Sequence, residues 1–347
     1  MKLGLNRIRF HGSIYTDTFL KSRFVRIKGS DMMTDKQPIV LQRADPRAYR
    51  HTDGYYYFTG SVPGYQTIEL RRAKTLAGLA DGEVLTVWHA HASGPQSQLI
   101  WAPEIHYING KWYIYFAASD SATERTAAHH HRMFVLECAA ADPMTTDWTD
   151  KGQIVTAQDS FSLDATVFEH NGDLYYLWAQ LEPAIHNNSN LYLSKMANPW
   201  TLTGKQTLLS VPEYDWETIG FAVNEGPAVL QRNGKVFVTY SASATDEHYA
   251  MGLLWADADA DLLNGFAWHK ASEPVFKSSP AHHLYGPGHN SFTTLPDGTD
   301  VIVYHARPYD NAGIDGDPLA NPDRHAYAQT FGWSDDGFPQ FGEPGDN

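Results

Sequence analysis

The chain is poor in the features that announce most protein classes. Its 347 residues contain one cysteine, Cys138, which excludes an internal disulfide framework. No apolar run approaches the ~20 residues of a membrane-spanning helix, and residues 1 to 15 have no hydrophobic signal core. The expectation is a cytoplasmic protein, or a secreted one if a leader has been removed. Lys and Arg form no run, and 40 acidic residues against 26 basic ones leave a formal charge of −14, so neither nucleic acid nor an anionic membrane is an expected partner. There is no Gly-x-Ser-x-Gly elbow, Walker loop or clustered Cys/His motif, which argues against acyl transfer, phosphoryl transfer and metal chemistry.

Aromatic residues and hairpin turns are abundant instead. The chain has 19 Tyr, 16 Phe and 10 Trp, enough for a packed β core, and flat ring faces also suit a neutral, hydroxyl-rich ligand. Residues 101–119 set the pattern: an apolar segment, the turn Asn109-Gly110, and an aromatic-rich strand. The same arrangement follows Asp53-Gly54, Asn171-Gly172, Asn233-Gly234 and Asp297-Gly298, with turn glycines spaced 56, 62, 62 and 64 residues apart. A fixed period of all-strand units predicts an all-β, five-bladed β-propeller forming one domain over residues 1–347.

A polar residue precedes each turn glycine by a similar interval: Asp45 by 9, Glu104 by 6, Asp164 by 8, Glu225 by 9 and His289 by 9. Equivalent positions on radial blades converge on the axis, so these five residues are expected in one funnel. Asp45 ends an apolar segment at an Asp-Pro step that favours extended backbone. Asp164 and Glu225 sit in the apolar segments FSLDATVF and FAVNEGPAVL, where a carboxylate needs partners and burial raises its pKa. Trp101 and Glu104 are expected to point to the same end of blade two, with Glu104 either holding a ligand hydroxyl or bracing the site through a salt bridge. Arg307, at the end of YHAR, is a candidate clamp for a carboxylate or a sugar hydroxyl. His129-His130-His131 reads as a solvated tract, and residues 327–333 with 338–341 as a closing pair of strands. Two carboxyl groups in different environments are the minimum apparatus for glycoside hydrolysis.

The segments Ala44-Asp45-Pro46, WAPE (101–104), SLDA (162–165), NEGP (224–227) and GPGHNSF (286–292) together resemble glycoside hydrolase family 43 over roughly residues 40–335. The resemblance implies a five-bladed propeller and inverting hydrolysis, with Asp45 as general base, Glu225 as general acid and Asp164 tuning and orienting the acid. It implies no cofactor for the chemistry, and it places His289 beside a calcium or sodium ion held through water. Within the family, the WETIGFAVNEGP segment and the tail RHAYAQTFGWSDDGFPQFG are similar to exo-acting α-L-arabinofuranosidases of α-1,5-arabinan or arabino-oligosaccharides. β-1,4-Xylosidase and endo-arabinanase activities are the alternatives within the family, the former less favoured because a second sandwich domain has no room in 347 residues. A non-catalytic carbohydrate-binding propeller is the alternative outside it.

Overall fold

The computed structural model describes residues 37–122 and 130–346, and Asp31–Asn347 form one compact unit. The start of the single domain expected over residues 1–347 and His129 lie outside the described residues. Blade one contains β1 (Ala44–Arg50), β2 (Tyr56–Ser61), β3 (Thr67–Ala73) and β4 (Glu83–His89). Blade two contains β5 (Gln98–Ile108), β6 (Lys111–Ser119), β7 (Arg132–Cys138) and β8 (Thr149–Gln153). Blade three contains β9 (Ser162–His170), β10 (Asp173–Gln180), β11 (Asn190–Asn198) and β12 (Thr201–Ser210). Blade four contains β13 (Asn224–Arg232), β14 (Lys235–Ala242), β15 (Ala250–Asp257) and β16 (His269–Lys270), and blade five β17 (Tyr285–Thr294), β18 (Asp300–Arg307) and β19 (His325–Thr330). Each sheet is an antiparallel meander in chain order. The first strands pack in a ring, β1 on β5 and β17, β9 on β5 and β13, and β13 on β17, which makes the fold a five-bladed propeller.

Turn chemistry explains the meander. Asn109, Asn171 and Asn233 have φ of 49°, 50° and 52°, and the glycines after them 83°, 83° and 72°, the double positive φ of a two-residue type I′ hairpin. The two Asp-Gly turns differ. Only their glycines have positive φ, and Asp53 and Asp297 instead accept the N–H two residues on, from Tyr55 at 2.8 Å and Thr299 at 2.9 Å, in longer connections. The second strands are sandwiched between neighbouring blades, so β6 and β10 read as continuous apolar runs; Trp112, Tyr115, Phe116, Tyr176 and Trp178 are fully buried.

The ring closes differently from the expected closing pair. Strand β19 ends at Thr330, and β20 (Gly332–Trp333) pairs with β21 (Pro339–Gln340) as a separate hairpin, turned aside where Asp300 accepts from Phe331 N–H at 3.2 Å and from Trp333 Nε1 at 2.9 Å. Closure falls to Ile39 and Val40, whose backbone bonds Ala326 on β19: Ile39 N–H donates to Ala326 O at 2.8 Å and Ala326 N–H to Val40 O at 2.9 Å.

Candidate active site

Each first strand carries a left-handed residue where its pairing is interrupted, Asp45 (φ 57°), Ala102 (46°), Asp164 (54°), Gly226 (54°) and His289 (39°), and β5 and β17 each have a second one nearer the start, Leu99 (49°) and Gly286 (59°). The pairing with the second strand breaks register at the same level in all five blades. Bulges of this kind turn a side chain off the pleat, here into the hub, at a cost of roughly 1–2 kcal/mol per non-glycine residue. They also correct the expected alignment of the repeats. The equivalent of Asp45 in blade two is Ala102, two residues before Glu104, and in blade four it is Gly226, one residue after Glu225. The shorter interval from Glu104 to Gly110 was the trace of this offset in the sequence.

Asp45, Asp164 and His289 line one hub cavity with Glu104, Pro227 and Asn290. His289 Nδ1 is 3.2 Å from Asp45 Oδ1 and 3.5 Å from Asp164 Oδ2. Gly226 N–H donates to Asp164 Oδ2 at 3.1 Å, which ties the carboxyl to the residue after Glu225. A Cβ on Gly226 would lie 2.9 Å from His289 Cγ, so only glycine lets these strands approach so closely. Glu225 accepts from Tyr249 Oη at 2.9 Å.

The three acids occupy different electrostatic environments. Burial pushes the Asp45 carboxyl up, but His289, Arg324, His305 and the Ser61 hydroxyl at 2.5 Å together outweigh it and bring the pKa down to about 2. Glu225 is raised to about 7, by burial and by the charge of Asp45, against the pull of the Tyr249 hydroxyl and Arg324. Asp164 is pushed well above the usual aspartate value by burial, Glu225 and Asp45. Near neutral pH, Asp45 is therefore ionised while the Asp164–Glu225 pair retains a proton.

The remaining expected site residues divide. Glu104 is in the hub, but its oxygens are taken by Arg47 Nη1 at 3.1 Å, Thr166 Oγ1 at 3.0 Å and His106 Nε2 at 3.5 Å, so it braces blades one to three as an internal ion pair. Trp101 lies just before the blade-two bulge, stacked on His131 with ring centroids 3.9 Å apart. His131 is fully buried while His130 is exposed, so the reading of the tract as solvated holds at His130 and fails at His131. Arg307 is buried too, and its guanidinium donates to Thr245 O and Pro318 O, both at 2.5 Å, and to Asn321 Oδ1 at 3.2 Å. It pins the long connection after β18 and is not placed to clamp a sugar. The guanidinium beside Asp45 belongs to Arg324, with Nη1 3.6 Å from Asp45 Oδ1 and Nη2 3.3 Å from Tyr65 Oη.

Arg324, Tyr249, Ser61 and His305 escaped the sequence reading. His305 alone left a signal, as a histidine inside the otherwise apolar VIVYHA; its Nδ1 accepts Asp45 N–H at 3.1 Å. Among the described residues no group of three or more His, Cys, Asp or Glu side chains could hold a metal ion. His289 offers a single ring and turns Nδ1 to two carboxylates, so the residues present do not fit a protein-caged metal.

The family model for glycosyl hydrolases family 43 matches residues 36–339. An extracellular exo-α-(1→5)-L-arabinofuranosidase of Streptomyces avermitilis is 54% identical over 91% of this chain, which spans 64% of that protein's length. An enzyme of the same description from Streptomyces chartreusis is 52% identical over 82% of this chain and 85% of its own. The crystal structure of an α-L-arabinofuranosidase from Lactobacillus brevis superposes with a TM-score of 0.86 at 58% identity, covering 89% of this chain and 96% of that one. Two of these relatives are extracellular, which overturns the expectation of a cytoplasmic protein; that expectation rested on the composition of residues 1 to 15, which does not fix where the propeller works. Among the described residues no helix is long and apolar enough to cross a membrane. With a family model matched from the first blade to the last, the chain belongs to glycosyl hydrolase family 43.

Proposed function

We propose that this chain is an exo-acting α-L-arabinofuranosidase that releases L-arabinofuranose from α-1,5-linked arabinan or arabino-oligosaccharides by single displacement with inversion. One observation carries the reading: two carboxyl groups in one hub are held in opposite protonation states, Asp45 near a pKa of 2 and Glu225 near 7. Asp45 then takes a proton from water as the water oxygen bonds to the anomeric carbon, and Glu225 gives its proton to the departing glycosidic oxygen. Asp164 accepts from Gly226 N–H beside the acid, and its coupling to Glu225 keeps a proton on the pair. Both proton transfers use carboxyl groups of this chain, so the reading needs no cofactor. The linkage and the exo action are supported by the names of the Streptomyces relatives.

Following hydrolysis of an α-L-arabinofuranoside by ¹H NMR tests the mechanism: the first-formed sugar is expected to be the β-anomer, and initial accumulation of the α-anomer would overturn inversion. Linear arabinan is expected to yield arabinose alone, whereas early release of oligosaccharides would indicate endo action. An ion beside His289 belongs to the same proposal as a structural, water-held group. A thermal midpoint that falls on chelation and returns with calcium supports it; one that is unchanged by chelator and by removal of sodium removes it.

A further inference from the structure

The loop that delivers Glu225, residues 211–223, is firmly braced. Glu217 is fully buried within it, ion-paired to Lys270 Nζ at 2.8 Å. Its carboxylate also accepts from the N–H groups of Glu213 (2.8 Å) and Tyr214 (2.9 Å), the Tyr240 hydroxyl (2.8 Å) and the Asn224 amide (3.0 Å). Ser243 Oγ donates to Trp216 O at 2.6 Å and accepts Ile219 N–H at 3.0 Å. The mouth-side connections on both flanks grip the tip, Ala244 N–H donating to Ile219 O and Asn188 N–H to Ala222 O, each at 2.8 Å. Gly220 between them has φ of 77°, and a Cβ there would lie 2.8 Å from that of Ala244. At its tip this bracing presents two large apolar side chains to solvent, Ile219 at 42% and Phe221 at 45% exposure, while the exposed Glu213, Asp215 and Thr218 lie before them in the loop.

We propose that Ile219 and Phe221 form the platform for the leaving-group sugars, the arabinofuranose units beyond the bond that is cleaved. The proposal rests on the assignment of Glu225 as the acid. An acid must face the oxygen it protonates, so the departing chain starts at Glu225 and crosses the rim from which β13 descends. Phe221 precedes Glu225 by four residues, at most about 14 Å of backbone, which keeps the tip within reach of the first departing units. The C–H face of a sugar packs on an aromatic ring and an aliphatic side chain without a charged partner. A loop already fixed by a buried ion pair loses little freedom when it does so.

Chain-length kinetics of Phe221→Ala, Ile219→Ser and Phe221→Trp test the platform. The quantity read is the ratio of kcat/KM for α-1,5-arabinotetraose to that for methyl α-L-arabinofuranoside. It is expected to fall about tenfold in Phe221→Ala, carried by KM on the tetraose, to fall less in Ile219→Ser, and to be restored in Phe221→Trp. An unchanged ratio, or equal losses on both substrates, overturns the platform. A change of oligomeric state in light scattering with unchanged kinetics would assign the tip to a second copy of the chain and overturn it as well. A wild-type chain that hydrolyses neither substrate sinks the arabinofuranosidase reading itself, an outcome distinct from wild-type activity that does not depend on Phe221.

Discussion

Asp45 and Glu225 differ by one methylene in chemistry and by much more in surroundings. The proposed mechanism needs Asp45 ionised and Glu225 protonated, so kcat/KM is expected to be bell-shaped, rising through about 2 and falling through about 7. Arg324→Met removes a positive charge 3.6 Å from Asp45, so the acidic limb should move up while the basic limb moves less; a stationary acidic limb would take Arg324 out of the base's environment. Asp45→Asn and Glu225→Gln should each lower kcat by at least ~10²-fold with folding intact, as measured by initial rates beside far-UV circular dichroism. Glu225 also has a stability signature. Its folded pKa, about 7, lies above the ordinary 4.5, so its contribution to stability is fully present below 4.5 and is lost as pH rises through 7. Glu225→Gln is therefore expected to raise the unfolding midpoint relative to wild type at pH 8 and to do so much less at pH 5, in thermal melts at the two pH values.

At the scale of elements, the first-strand bulges do the positioning. Gly226→Ala puts a Cβ into a left-handed backbone position and within 2.9 Å of His289 Cγ, so β13 and β17 have to separate where the Asp164 and Glu225 carboxyls meet. A loss of kcat of roughly tenfold or more, together with a lower melting temperature, is expected; wild-type values in both assays would mean that the close approach is dispensable. The same bulges mark where the sequence stopped being legible. Asn-Gly and Asp-Gly turns are local chemistry, so the blade count and the positions of Asp45, Asp164 and His289 can be read from spacing, and that of Glu225 to within one residue. A register break depends on pairing with another strand and leaves no local signature, so spacing alone aligns Glu104 and Glu225 with Asp45 where Ala102 and Gly226 hold that place. Arg307 and Arg324 flank one long connection, and only its folded path decides which guanidinium reaches Asp45.

At the scale of the whole molecule, the site straddles the seam where the ring closes. Asp45 comes from blade one, whereas His289, His305 and Arg324, which surround it, come from blade five or the connection just before β19. Those two blades are joined through the bonds of Ile39 and Val40 to Ala326 and through a shared core in which Val40, 2% exposed, packs with Ala48, Tyr56, Val301 and Val303. Without them β19 would present an unpaired edge, and the partners that hold Asp45 ionised would no longer be fixed relative to it. Val40→Asp buries a charge among these side chains and is expected to lower the thermal midpoint by at least ~5 °C, since 1 kcal/mol in a domain of this size moves it by a few degrees. Activity should decline with temperature before global unfolding, as the seam loosens ahead of the other blade contacts. Leu41→Asp, one residue on but 62% exposed, supplies the control and should leave both properties near wild type. Equal midpoints for the two variants would mean that the bridge at Ala326 contributes nothing to keeping the ring, and with it the site, closed.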